Sequence, residues 1–394
     1  MKRLLLFFAL LPTMAMAYNF NYKVVNNEAV VTRSDNAKGE VDIPASITVN
    51  GEKYPVTTIA DSAFYRNYNV TAVKLPKSIK SIGMLAFFGT AIQEPVYTKE
   101  IFAFMPESYE GEYQMPKSIT TIAGGAFFGC GGLTEVQLPK KLENIGEMAF
   151  FATSLSHPVY TATDFVYCPY NHKGSFTIPD GITHIGKYAF MDCEEVEEVI
   201  MPSSVRVIDD YAFLNCRRLI TVVLPPELNQ IGDSAFFACQ WLSRIDFSKS
   251  VIRHIGNGAF YNCVALQTLV LNEGCLTIGE NAFDQCNDLH EVRLPASLEN
   301  VGKNVFDHTK IDVPLYSTKV FVRMPESATG TYTVPDGIEK IAPRAFRFCQ
   351  KLNTVILPSS LKEIGAEAFN FTNLGATKVP DGAKVDPTAF EHCK

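Results

Sequence analysis

Ten cysteines and seven histidines are the side chains in this 394-residue sequence best suited to metal, redox or nucleophilic chemistry. Such chemistry needs a constellation: thiols and imidazoles at ligand spacing for zinc, or a nucleophile with a base in reach. Eight of the cysteines instead share one phase, three residues after a phenylalanine: Cys130, Cys193, Cys216, Cys239, Cys263, Cys286, Cys349 and Cys393. Asn67, Thr90, Thr153, Thr309 and Thr372 fill the same slot elsewhere. No C-x-x-C pair is present, so zinc and thioredoxin-like readings fail. His157, His172, His184, His254, His290, His308 and His392 make no H-x-x-x-H pattern, and no serine sits in a nucleophile elbow. Asp209-Asp210 reads as a solvated turn pair. The expectation is a chain with no catalytic residues, no metal and no cofactor. Its ladder thiols are expected to be buried, free and small enough to pack inside a turn.

The formal net charge of −7 argues against nucleic acid, because phosphate binding needs clustered Lys and Arg. Lys2 and Arg3, the apolar run Leu4 to Leu11, and Ala15-Met16-Ala17 have the pattern of a cleaved secretory leader. The apolar run is too short to span a bilayer, and no later one is long enough. The reading is an exported protein, secreted, periplasmic or at the cell surface, without a transmembrane span.

One feature dominates the chain. A phenylalanine, usually preceded by Ala, recurs at Phe64, Phe87, Phe127, Phe150, Phe190, Phe213, Phe236, Phe260, Phe283, Phe306, Phe346, Phe369 and Phe390. The spacing is 23 residues as a rule, 24 between Phe236 and Phe260, 21 at the end, and 40 at three places. Each 40 is one unit plus a 17-residue insert. A fixed period in this range predicts a leucine-rich solenoid. Within a unit, Leu133-x-x-Val136-x-Leu138-Pro139 alternates at its end. Val136 and Leu138 therefore face inward and Gln137 outward, and the proline ends the strand. Stacking repeats this contact from coil to coil, so the thirteen phenylalanines are expected to form a structural ladder. Gly83, Gly146, Gly186, Gly232, Gly256, Gly279, Gly302 and Gly365 share a corner slot with Ala60, Ala123, Asp209 and Ala342. Ala resists a positive φ, so the slot calls for a small residue rather than a left-handed turn.

The three inserts resemble one another, running from Pro95 to Tyr113, Pro158 to Phe176 and Pro314 to Tyr332. They read as extra hairpins or abbreviated coils. Thr90, Thr153 and Thr309 immediately precede them, so Thr in place of Cys is expected to mark a coil whose successor is irregular. Residues 18–56, with alternating strands and an Asn50-Gly51 turn, read as a cap on the exposed end of the core. The expected organisation is a leader at 1–17, a β cap at 18–56 and a β-rich, right-handed solenoid at 57–394.

Two features exceed what a scaffold needs. Trp241, the only tryptophan, occupies a slot that holds Glu195, Arg218, Asp288 and Lys351 in other units, which predicts exposure. The outward strand residue of the central units reads Ile200, Val223, Asp246, Val270 and Arg293. Three of these five are apolar, which a purely solvated face would not favour. These six residues form the candidate ligand-binding set, with the aromatic as anchor. The residue after each ladder phenylalanine is Tyr65, Phe88, Phe128, Phe151, Met191, Leu214, Phe237 and Tyr261, then turns polar. That stripe is either a second core layer or an exposed patch.

The phrase Ala-Phe-x-x-Cys-x-x-Leu-x-x-Val-x-Leu-Pro-x-x-Leu-x-x-Ile-Gly-x-x-Ala-Phe stands at Ala126 to Phe150 and again at Ala212 to Phe236. It resembles the repeat of the BspA-like leucine-rich repeat family of bacterial surface proteins, of the Bacteroidales type. Ile43-Pro44 and Val49-Asn50-Gly51 with Tyr54-Pro55-Val56 resemble the segment that precedes such arrays. The resemblance implies an exported adhesin or binding protein of a host-associated bacterium and brings no catalytic residues. The expected partner is a protein or glycan, host matrix among the candidates. A structural or inhibitory envelope module is the alternative, and an enzyme with its site in an insert ranks below both.

Overall fold

The computed structural model describes residues 19–375 and 377–393; the leader read from residues 1–17 lies outside them. The chain forms two compact units, divided between Ser154 and Leu155. Among the described residues there is no α-helix. Both units are built from short parallel strands that recur about every 23 residues, and the β-solenoid expected from the period is the architecture found.

The first unit starts with the antiparallel strands Asn21–Val25 and Glu28–Thr32. Their turn, Asn26-Asn27, has φ of 50° and 61°, the left-handed conformation that tight hairpins require and asparagine tolerates. A second hairpin, Ser46–Val49 with Glu52–Ile59, turns at Asn50-Gly51. The long strand then leaves this pairing: its C-terminal half lies parallel to Glu28–Thr32 on one side and to Ser81–Ile82 on the other. Hairpin geometry thereby hands over to solenoid geometry within one strand.

The second unit carries an eight-stranded sheet in which His184–Ile185, Val207–Ile208, Gln230–Ile231, His254–Ile255, Thr277–Ile278 and Asn300–Val301 stack in register. The L-x-x-V-x-L strands form separate sheets: Gly174–Thr177, Val196–Ile200, Thr221–Val223 and Arg244–Ile245 in one, Thr268–Val270 with Glu291–Arg293 in another. Between the two strand sets lie the phenylalanines. Phe190, Phe213, Phe236, Phe260 and Phe283 stack face to face with centroids 4.7 to 5.2 Å apart, and all are fully buried.

The inserts are abbreviated coils entered by a short hairpin. Val96–Tyr97 pairs antiparallel with Ile101–Phe104, which then runs parallel to Thr121–Ile122. The backbone slot of a ladder phenylalanine is occupied there by Met105, whose N–H donates to Ala126 O at 2.7 Å, as Phe127 donates to Ala149 O at 2.8 Å. Cys168 and Met324 do the same in the other two short coils. The ring comes from three residues earlier. Phe102, Phe165 and Phe321 stack on Phe127, Phe190 and Phe346 at 4.7, 4.9 and 4.7 Å. A short coil therefore keeps the aromatic stack while shifting the residue that supplies it, which is why the Ala-Phe phase skips these positions.

The corner glycines have ordinary backbone angles. A Cβ at Gly83, Gly146, Gly256 or Gly279 would lie 2.3 to 2.5 Å from backbone atoms of the coil before, closer than any packing tolerates. At Gly186, which follows a short coil, the nearest atom is Phe165 O at 3.1 Å. Ala123 and Ala342 also follow short coils, where the preceding corner is missing. Left-handed residues occur elsewhere, two before and two after each ladder phenylalanine from Phe64 to Phe369, as at Ser234 (φ 52°) and Ala238 (φ 59°) around Phe236.

Candidate ligand-binding face

The ladder cysteines are engaged in structure. All ten cysteines are free thiols and nine are buried. Cys216, Cys239, Cys263 and Cys286 each donate Sγ–H to the carbonyl of the ladder phenylalanine one coil earlier, at 3.0 to 3.2 Å. Where the next coil is short no thiol arrives, and the threonine of the same coil bonds its own phenylalanine carbonyl: Thr90 to Phe87 O and Thr309 to Phe306 O, both at 2.8 Å. Burial pushes the Cys130, Cys286 and Cys349 thiols up to about 12, so they stay protonated and poorly nucleophilic. Among the described residues no three His, Cys, Asp or Glu are grouped to hold a metal, and no helix is long and apolar enough to cross a membrane.

The surface of the L-x-x-V-x-L strands in the second unit is different in kind. The outward residues from Ile200 to Val270 project from strands whose inward neighbours are buried, as Val222 and Leu224 flank Val223, and Arg293 lies between the half-buried Val292 and Leu294. Ile200 is paired across the sheet with Val223, and Val270 with Arg293. Ile200, Val223 and Val270 are 40%, 53% and 42% exposed, and Asp246 and Arg293 are exposed beside them.

Between these two pairs the sheet is interrupted, since Arg244–Ile245 ends one sheet and Thr268–Val270 begins another. The coil from Phe236 to Phe260 holds one extra residue, and Ser248 stands in its usual proline slot. Asp246 Oδ1 accepts the Ser248 N–H at 2.8 Å, bending the chain out of the strand. The result is an open groove of about 480 Å³ lined by Thr221, Val223, Arg244, Asp246, Lys249 and Val270. Hydrogen bonds from Ser248, and then the Lys249 charge, hold Asp246 below the usual carboxylate range, so the groove carries a fixed negative charge between two cations.

Trp241 opens the same coil and is 53% exposed. The Arg218 guanidinium lies 5.7 Å from its ring centroid, and Arg218 Nη1 binds Glu195 Oε2 at 2.7 Å. This Glu–Arg–Trp ladder over three coils orients the indole before any ligand arrives. The structure thus brings Val223, Asp246 and Val270 into one groove, sets Ile200 and Arg293 as its flanks, and holds Trp241 by a separate ladder. Arg244, Lys249, Thr221 and Thr268 were not singled out from sequence; the 24-residue spacing was the signal that could have led to them. The stripe after the ladder phenylalanines is half-buried. Its rings pack on one another, Phe128 tilted against Phe151 at 5.4 Å and Phe237 stacked on Tyr261 at 5.0 Å, a second layer over the core.

The repeat sequence and this fold define a leucine-rich solenoid. The model of the BspA-type leucine-rich repeat region matches residues 46–113, 100–167, 160–275, 208–322 and 253–394, and the chain belongs to that family. A leucine-rich repeat protein from Eubacterium ventriosum is similar in fold, with a TM-score of 0.51 and 18% identity over 90% of this chain and 92% of that one. A leucine-rich cell surface protein from Faecalibacterium prausnitzii aligns with 20% identity and a TM-score of 0.39, covering 94% and 96% of the two chains. A leucine-rich repeat protein from Bacteroides ovatus aligns with 23% identity and a TM-score of 0.38, covering 93% and 97%. No protein of curated function matches.

Proposed function

We propose that this chain is a non-catalytic exported binding protein that adheres to an extracellular protein or glycan, host matrix included, through the strand face around Trp241. The observation that carries the reading is the set of exposed aliphatic residues Ile200, Val223 and Val270, in the same run of coils as an exposed indole already held by Arg218. Soluble surfaces rarely gather exposed apolar residues except where a partner covers them, and a rigid aromatic anchor contributes most where it loses least freedom on binding. Arg244, Asp246 and Lys249 supply orientation, since charges at the rim of an apolar patch set register more than affinity. The aliphatic character of the set favours a protein ligand at this face. The leader pattern at residues 1–17 and the family supply the reading of location, at or beyond the cell surface.

The test is binding of the chain to arrays of immobilised extracellular-matrix proteins and glycans, followed by the double variant Trp241→Ala, Val223→Lys with an unchanged thermal transition. Saturable binding weakened at least about tenfold, roughly 1.4 kcal/mol, supports this face. Affinity within about twofold of the parent moves the site elsewhere. Turnover in a hydrolase panel would replace the binding reading with an enzymatic one.

A further inference from the structure

We propose a second recognition site, in the first unit, that takes a neutral sugar residue of a glycan. It is independent of the Trp241 face. The site is created by the first short coil. Val70–Lys74 pairs only with Gly39–Asp42, and Glu110–Gln114 only with Gly132–Gln137. Residues 91–95, which cross the interval, form no strand. The strand face is therefore open there, leaving a hollow of about 360 Å³, within the range of small-ligand sites.

Its walls are Tyr68 and Phe88, and its polar groups include Arg66, Gln93 and Glu107. Tyr68 is 69% exposed, the most exposed large apolar side chain among the described residues. Phe88 is half-buried against Tyr65 and Phe128. Glu107 is positioned by the Gly89 N–H, which donates to its Oε1 at 3.0 Å, and it keeps further acceptor capacity. A Cβ at Gly89 would meet Arg66 Cγ at 3.0 Å, so glycine there lets Arg66 lie close. The Arg66 guanidinium stands 5.3 Å from the Tyr65 ring centroid.

An exposed ring and a convergent guanidinium, carboxylate and amide suit one ligand chemistry well. A sugar presents an apolar C–H face to an aromatic ring and hydroxyls that both donate and accept toward planar polar groups. One cation and one anion leave the hollow without net charge, which points to a neutral sugar rather than an acidic one. The chain also contains an internal comparison. The third short coil repeats the frame, with Thr309, Ile311, Pro325, Glu326 and Ser327 in the places of Thr90, Ile92, Pro106, Glu107 and Ser108. There, however, Asn287 and Asp307 stand where Tyr68 and Phe88 stand in the first. A short coil therefore folds without either ring, and the aromatics of the first hollow are not demanded by the scaffold.

The experiment is saturation-transfer NMR of the chain with galactose, mannose, fucose and N-acetylglucosamine, and separately with N-acetylneuraminic acid, at millimolar sugar. Transfer to at least one neutral sugar is expected. It should weaken at least about tenfold in Tyr68→Ala, recover in Tyr68→Phe, and persist in Trp241→Ala. The thermal transition of Tyr68→Ala should match the parent, because most of the ring is exposed. No transfer from any neutral sugar, transfer indifferent to Tyr68→Ala, or preference for N-acetylneuraminic acid would each overturn the proposal. Transfer indifferent to Tyr68→Ala but lost in Trp241→Ala would assign the sugar to the Trp241 face instead, so failure here leaves that reading standing.

Discussion

Cys239 Sγ donates to the carbonyl oxygen of Phe213, one coil earlier, at 3.2 Å. The same carbonyl already accepts the N–H of Cys216 within its own coil. Each such sulfur ties a coil to its predecessor at the point where the aromatic stack passes. A threonine in this slot turns its hydroxyl to its own coil instead, as Thr309 does.

Exchanging the two residue types should therefore cost stability in either direction. Cys239→Thr removes the bond to Phe213, and Thr309→Cys takes one of two side-chain donors from Phe306 O and the hydroxyl acceptor from Arg323 Nη1. We expect about 1 kcal/mol for each, read from chemical denaturation midpoints. Equal or higher stability in both variants would mean that the slot selects for size alone.

The aromatic stack should be the main source of cohesion. Phe236→Ala, at a fully buried position, should cost about 3 to 5 kcal/mol. Phe102→Ala should cost as much, although Phe102 lies outside the Ala-Phe phase, because its ring is stacked 4.7 Å from Phe127. A loss under about 1 kcal/mol at Phe102 would separate the short coil from the ladder.

Corner glycines should divide into two classes. Gly256→Ala forces a Cβ to within 2.4 Å of the Gly232 backbone and should cost about 1 to 3 kcal/mol or more as the coils are pushed apart. Gly186→Ala meets only Phe165 O, at 3.1 Å, and should cost clearly less. Equal losses at the two sites, measured by thermal unfolding, would count against backbone proximity as the cause.

The buried thiols predict a particular alkaline response. Cys286 is raised by burial from an ordinary 9.0 to about 12. Above pH 9 the unfolded chain loses this proton while the folded chain keeps it, so stability falls as pH rises, by up to about 1.4 kcal/mol per pH unit until the folded thiol also ionises. Below pH 9 the thiol is neutral in both states and contributes no slope. Cys286→Ala should flatten the decline between pH 9 and 12 relative to the parent; parallel curves would show that this thiol is not protected. Titration of the denatured, unreduced protein should also find the thiols free.

The period, the inward phase of Val, Leu and Phe and the outward phase of Ile200, Val223 and Val270 were legible in the sequence. A solenoid repeats one local structure, so a residue's phase in the period largely states its environment. The same logic placed Trp241 in solvent from the charged residues that share its slot. Whatever depends on the break in that repetition was settled only by tertiary structure. Phe102, Phe165 and Phe321 enter the stack because the backbone shortens and a ring three residues earlier reaches the vacated position. The groove at Asp246 follows from one additional residue, whose effect on strand pairing depends on how two neighbouring coils meet. The hollow beside Tyr68 exists because a strand is missing between two others. In each case the cause is a relation between successive coils, and phase within a single coil carries no information about it.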